Sequence, residues 1–148
     1  MAQLNLVIVS GLSGSGKSHA LKAFEDAGYF CIDNLPPALI PTFVELCNQQ
    51  GGEISNVALG VDVRERVFFS DLVGTLERVK ALGYAIRLIF LEARDEVLVR
   101  RFSESRRPHP LLPHLPVLEG VRFEKERVAE LRRHADRIID TSDLTVHE

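Results

Sequence analysis

Gly11-Leu12-Ser13-Gly14-Ser15-Gly16-Lys17-Ser18 is a complete G-x-x-x-x-G-K-S/T pattern, the Walker A phosphate-binding loop, and its flanks suit it. The apolar run at residues 4–10 reads as a buried strand, and His19-Ala20-Leu21-Lys22-Ala23-Phe24-Glu25 reads as a helix. Strand, glycine-rich loop and helix form the context in which this motif carries its mechanism. Glycines let backbone N–H groups approach a phosphate closely, and the helix N-terminus adds a favourable dipole. Lys17 then reaches the β/γ-phosphates and the Ser18 hydroxyl ligates Mg²⁺. The pattern predicts a bound nucleoside triphosphate, with Gly11 to Ser18 as its cradle.

The rest of the composition sets limits. With 148 residues the chain is one ordinary domain, able to bury roughly 68–70% of its unfolded surface. A net charge of −3 supplies no global basic field for nucleic acid or anionic membrane. No apolar run approaches about 20 residues, and the N-terminus leads into a strand rather than a signal peptide, so the expectation is a cytoplasmic protein without a membrane segment. Cys31 and Cys47 are too few and too far apart for a zinc knuckle or a disulfide framework and read as reduced and buried. The five histidines have no metal-ligand spacing; His109 and His114 share a proline-rich loop and read as solvated.

Working outward from the loop, strands and helices alternate. The first helix should cover residues 17–27, with Gly28 closing it. A short strand at 29–32 precedes the turn Asp33-Asn34-Leu35-Pro36-Pro37, and Pro41 suits the first turn of a second helix. Phe43, Val44, Leu46 and Cys47 give that helix an apolar face, ended by Gly51-Gly52. The run at 57–61 suits a central parallel strand closed by Asp62. A third helix is expected at 66–82, with Phe68, Leu72, Leu76 and Val79 along one side and Gly83 after it. Strand four falls at 85–91. Asp95 reads as the cap of a helix carrying Leu98, Val99 and Phe102. Residues 105–116 hold four prolines and cannot be regular. A last helix at 118–134 leads to strand five at 137–140.

Five strands with helical crossovers predict a doubly wound α/β sheet of the P-loop NTPase type, order 2-3-1-4-5, nucleotide-kinase-like, with the triphosphate outside the carboxyl ends of the strands. Residues 141–148 look like a turn and an interrupted helix start. Residues 1–148 are therefore expected to be the N-terminal part of a longer protein.

Beyond the loop, Asp62 ends the strand expected beside strand one, where a carboxylate can hold Mg²⁺ opposite Ser18; the plain alternative is a helix cap. Asp33, at the end of strand two, faces the same cleft as an acceptor-orienting or metal-assisting group, or simply forms an Asx turn. Arg100, Arg101, Arg106 and Arg107 lead into the proline-rich segment and suggest a lid that closes over phosphates, with Lys17, Arg106 and Arg107 as the catalytic candidates. Arg64 can reach the same cleft. The alternative for each arginine is a solvated basic face. Base selection would depend on the lid and on Thr141-Ser142. The residues alone leave a small-molecule kinase, a regulatory switch and a weak NTPase open.

Six blocks follow one another in order: the Gly11–Ser18 loop, Cys31-Ile32-Asp33-Asn34-Leu35-Pro36, Gly60-Val61-Asp62-Val63-Arg64, Phe90-Leu91-Glu92-Ala93, the stretch from Arg100 through Arg106-Arg107-Pro108-His109-Pro110-Leu111, and Ile139-Asp140-Thr141-Ser142. Together they resemble the N-terminal half of the RapZ/YvcJ family of bacterial nucleotide-binding proteins, the RNase adapter proteins, over essentially the whole chain. The resemblance implies ATP and GTP binding with Mg²⁺ and modest hydrolysis. It places ATP on Gly11, Leu12, Ser13, Gly14, Ser15, Gly16, Lys17 and Ser18, and a guanine-nucleotide stretch on Asp62, Val63, Arg64 and Glu65. One triphosphate on the loop would bring Asp62 near its metal, so both stretches are expected to line a single pocket. The resemblance also implies, through a C-terminal domain, small regulatory RNA and an endoribonuclease as partners. Oligomeric state is not fixed by the sequence, and a homo-oligomer is allowed.

Overall fold

The computed structural model describes residues 4–12, 14–49, 55–61, 66–105 and 116–142. The chain runs β1 (Asn5–Gly11), α1 (Lys17–Asp26), β2 (Phe30–Ile32), a 3₁₀ turn (Pro37–Leu39), α2 (Ile40–Gln49) and β3 (Asn56–Gly60). It continues with α3 (Arg66–Ala81), β4 (Ala85–Glu92), α4 (Asp95–Ser105), α5 (Val117–Arg127), α6 (Ala129–Arg133) and β5 (Arg137–Asp140). The strands form a parallel sheet in the order β2-β3-β1-β4-β5, the order expected from the sequence.

β1 lies at the centre because both of its faces are apolar. Leu6 and Ile8 point to one side and Val7 and Val9 to the other, all at most 5% exposed. Continuous apolar strands of this kind fit a parallel sheet covered on both faces. On the larger side Leu6, Ile8, Leu59, Leu88 and Phe90 pack with Ile40, Val44, Leu72, Leu76, Leu98 and Leu131 from the helices. On the other, Val7, Val9 and Ala58 pack with Leu21, with Ala20 and Phe24 of α1 against them. α1 ends where expected: Gly28 takes φ +94°, and the Tyr29 N–H donates to the Phe24 carbonyl at 3.0 Å, which turns the chain back into β2.

Several expectations are corrected. Leu46, placed on the buried face of α2, is 53% exposed, while Val44 and Cys47 are buried; the helix is entered through a 3₁₀ turn opened by Pro37, which sets its rotation relative to the sheet. Cys31 is only half-buried, its thiol against the Leu21 carbonyl at 3.4 Å. Asp95 is the first residue of α4 rather than its cap: the Arg94 carbonyl accepts from Val97 and Leu98, and the Asp95 carboxylate pairs with Lys125 of α5 at 2.5 Å. The single last helix is two, α5 and α6, divided at Val128, whose φ of −101° and ψ of 7° leave the helical region while its side chain stays buried beside Leu131. Gly51-Gly52, the Phe68 side chain and residues 143–148 lie outside what is described.

Leu98→Ala removes a fully buried side chain and should cost about 2–5 kcal/mol in urea unfolding, whereas Leu46→Ala should stay within about 0.5 kcal/mol.

Candidate functional site

The loop that follows β1 is shaped by backbone contacts before any side chain enters. Gly11 has φ +153°, and a Cβ there would run into the Leu91 carbonyl of β4, so only glycine lets the two strands come this close. Leu12 donates its N–H to that same carbonyl at 3.1 Å and buries its side chain, which anchors the start of the loop. The Ser15 N–H then closes back on the Leu12 carbonyl at 3.0 Å. Gly14, at φ +80°, lies against the Phe102 ring, 3.3 Å from where a Cβ would stand. Gly16, at φ +103°, is the N-cap of α1 and has no side chain with which to cap it. The first amides of a helix have no intrahelical partner, and without a side-chain cap they are available to an anion.

Two features bear on whether a phosphate fits. Among the described residues no atom lies within 4 Å of a Cβ built on Gly16, so none of them closes that face of the loop. The Ser15 hydroxyl is the buried side-chain polar atom, among the described residues, that has no hydrogen-bond partner. Buried polar groups are normally satisfied, so an unmet one inside an anion-shaped loop fits an oxygen-rich ligand. Ser18 is exposed in the first turn of α1, and Ser13 lies outside the described residues.

Lys17 is where sequence reasoning and structure meet. Its Nζ lies 3.5 Å from Asp33 Oδ1 and 3.5 Å from Asn34 Oδ1, with the lysine side chain 20% exposed. The Asp33 carboxylate also accepts from the N–H of the next residue, Asn34, at 2.8 Å, and Asn34 takes φ 56°; an Asx turn would take the N–H two residues on, at Leu35, which bonds elsewhere. Gly60, the last residue of β3, makes room for it: a Cβ there would stand 2.5 Å from Asp33 Oδ1 and 2.7 Å from Leu21. The Leu35 N–H donates to the Gly60 carbonyl at 3.0 Å, and the buried Ser10 hydroxyl donates to the Val61 carbonyl at 3.1 Å. Sequence reasoning named Asp33 but missed Gly60 and Asn34; a glycine ending an apolar strand was the available signal.

The arginines divide. Arg101 is engaged below any lid: it donates to the Gly14 carbonyl at 2.9 Å, to Thr141 Oγ1 at 3.1 Å and to the Thr141 carbonyl at 2.6 Å. Arg100 is exposed on α4. Arg106, Arg107 and the proline-rich segment, like Asp62, Val63, Arg64 and Glu65, fall outside the described residues.

Thr141 and Ser142, just past β5, are buried and form the other wall. Thr141 Oγ1 donates to the Ser15 carbonyl at 2.6 Å, and its N–H to the Glu92 carbonyl at 2.8 Å. The Arg94 N–H donates to Ser142 Oγ at 2.8 Å, and the Ser142 N–H to the Asp140 carboxylate at 2.8 Å. Hydrogen bonds from the Ser142 hydroxyl and N–H, helped by Arg94 and Lys125, hold the Asp140 carboxyl below the usual carboxylate range. Nearby, Arg132 clasps Glu92 at 2.7 and 3.0 Å, and that carboxylate raises its already high pKa. A cavity of about 130 Å³ lies between this pair, Leu12 and Phe90.

Gly60→Ala should lower stability by about 2 kcal/mol through the clash with the Asp33 carboxylate; Asp33→Ala added to it should relieve part of that cost in a double-mutant cycle. Because the folded pKa of Asp140 is depressed, its contribution is present above the unfolded value of about 3.9 and is lost as pH falls through the folded value. Urea midpoints measured from pH 6 to pH 2 should show a shallower acid limb in Asp140→Asn.

Among solved structures, shikimate kinase from Bacteroides thetaiotaomicron superposes with a TM-score of 0.65 at 19% identity, covering 95% of this chain and 88% of its own. A gluconokinase from Sinorhizobium meliloti gives 0.55 at 18% identity, covering 99% and 87%. These likenesses concern the fold. A curated nucleotide-binding protein from Clostridium botulinum is 49% identical over 145 residues, 98% of this chain and 49% of the relative. One from a Parafrankia species is 51% identical over 147 residues, 99% and 51%. The chain thus spans about half the length of the curated relatives it matches. The model of the RapZ-like N-terminal domain matches residues 4–148, and this chain belongs to that family.

Proposed function

We propose that this chain is a nucleoside-triphosphate-binding regulatory domain that hydrolyses ATP or GTP slowly with Mg²⁺. The observation that carries the reading is the loop itself: an uncapped helix N-terminus behind Gly16, open on the ligand side, with Lys17 suspended beside it. Gly11 and Leu12 fix the loop to β4, the Ser15 amide closes it on Leu12, and the amides of Gly14, Gly16 and Lys17 take the phosphates. Lys17 exchanges its distant contacts with Asp33 and Asn34 for the β/γ-phosphates. Ser18 and Asp62 are the residues that would hold Mg²⁺, which when bound neutralises charge between the β- and γ-oxygens. Asp62, Val63, Arg64 and Glu65 line the same pocket, whichever base is bound, and Arg106 and Arg107 answer to the γ-phosphate.

The family name and the relatives' printed description as nucleotide-binding proteins support this reading. No helix among the described residues is long and apolar enough to cross a membrane. Small RNA and an endoribonuclease enter as partners of a protein of the relatives' full length.

A second reading, a small-molecule kinase, is favoured by one observation. Asp33 holds a carboxylate 3.5 Å from Lys17 over a strand end stripped of its side chain, as a group orienting an acceptor hydroxyl would be.

Titration calorimetry with ATP and GTP in Mg²⁺ should show binding that Lys17→Ala weakens by about a hundredfold. Unchanged affinity in the folded variant would remove the loop from the account. Slow turnover indifferent to a desalted bacterial metabolite extract supports the regulatory domain; many-fold stimulation by it makes the protein a kinase.

A further inference from the structure

Three segments far apart in sequence meet at one guanidinium. Arg101 comes from α4, Gly14 from the loop and Thr141 from the end of β5, with separations of 87 and 40 residues. Two successive loop carbonyls are held there: that of Gly14 by Arg101 Nη1 at 2.9 Å and that of Ser15 by Thr141 Oγ1 at 2.6 Å. Arg101 in turn donates to Thr141 Oγ1 at 3.1 Å, and the threonine hydrogen goes to the Ser15 carbonyl at 2.6 Å in preference to the Glu92 carbonyl at 3.3 Å.

These bonds fix more than position. In a planar trans peptide the C=O and the following N–H point in opposite directions. Holding the Gly14 carbonyl therefore aims the Ser15 N–H, which closes on Leu12 at 3.0 Å. Holding the Ser15 carbonyl aims the Gly16 N–H away from Thr141, toward the inside of the loop. Both peptides have a glycine neighbour with positive φ, Gly14 at +80° and Gly16 at +103°, where the backbone is free to turn over. Without these holds the first peptide is free to leave Leu12, and the second to present a carbonyl oxygen to an anion instead of the Gly16 N–H.

We propose that Arg101 and Thr141 are a pair of positioning residues that hold the Gly14–Ser15 peptide closed on Leu12 and the Ser15–Gly16 peptide in the orientation that leaves the Gly16 N–H for phosphate. The inference rests on the loop's binding a nucleoside triphosphate. It assigns Arg101, grouped with the lid arginines on sequence, to the scaffold of the loop. The end of β5, through Thr141, acts on the loop through backbone geometry alone.

The test uses Arg101→Ala, Thr141→Val and Thr141→Ser, with Arg133→Ala, exposed on α6, as a charge control. ATP affinity is read by calorimetry in Mg²⁺, and the Gly14, Ser15 and Gly16 amides by NMR without ligand. Arg101→Ala and Thr141→Val should each weaken ATP binding by about tenfold or more and move the Gly16 amide resonance. Their effects should be less than additive in the double variant, and Thr141→Ser should restore both readouts. Wild-type affinity and an unmoved Gly16 amide in folded Arg101→Ala and Thr141→Val would overturn the proposal. Should Arg101→Ala fail to fold, the Thr141→Val and Thr141→Ser pair decides alone. Should the wild type bind neither ATP nor GTP, the nucleotide reading falls, and the amide spectra still show whether the pair sets the loop: shifts uphold the clamp, and unchanged spectra sink it.

Discussion

Gly11 and the Leu91 carbonyl approach so closely that no side chain fits between them, and the arrangement of the site follows from that contact. It sets β1 against β4 at the strand ends, and it presents the Leu91 carbonyl to the Leu12 N–H at 3.1 Å. The loop thus begins at a fixed height above the sheet. From there Leu12 is buried, Ser15 closes on it, and Gly16 starts α1. A larger residue at position 11 would push β1 and β4 apart where they pair in register, Ser10 with Phe90 and Gly11 with Leu91. Close approach of this sort is a use of glycine that costs conformational entropy in the unfolded chain and is kept where geometry demands it.

The charges around the loop are arranged to be moved rather than locked. Lys17 stands 3.5 Å from each of its two oxygen partners, at the long end of hydrogen bonding, and Asp33 is 40% exposed. Exposed pairs of this kind contribute little to stability, commonly under about 1 kcal/mol. Arg101 differs: its bonds of 2.6 to 3.1 Å run to backbone and hydroxyl oxygens rather than to a carboxylate. Hydrogen bonds from a charged donor are stronger than neutral ones, and three from one guanidinium suit a structural tie. The site therefore combines a loosely held cation with a firmly held frame.

Packing on the two faces of the sheet is unequal. The side carrying Leu6, Ile8 and Phe90 is covered by residues from α2 through α6, while among the described residues the other side is packed by α1. β5 is one of the two sheet edges, with Ile138 39% accessible, yet its end is fastened by Thr141 and Ser142 to β4, α4 and the loop. The edge strand matters less for its own ladder than for bringing those two hydroxyls to the loop.

Much of this was legible in the sequence because it is local or periodic. The strand–loop–helix unit at residues 4–25, the order of the sheet and the closing of α1 at Gly28 rest on apolar runs and on glycines at turns, which a linear chain displays. Asp33 was legible as a carboxylate at a strand end. Three things were not. The break at Val128 and the exposure of Leu46 depend on how a helix is rotated against its neighbours, and periodicity leaves that open by a residue or two. The space that Gly60 leaves for Asp33 depends on β2 and β3 being adjacent. The hold of Arg101 and Thr141 on Gly14 and Ser15 joins residues up to 126 apart, and no local pattern encodes which of several neighbouring arginines points inward. Sequence determined the family, the fold and the phosphate-loop motif, since propensity, period and turn chemistry act over short distances. Tertiary structure decided which side chains hold the loop in shape, because that depends on where distant strand and helix ends come together.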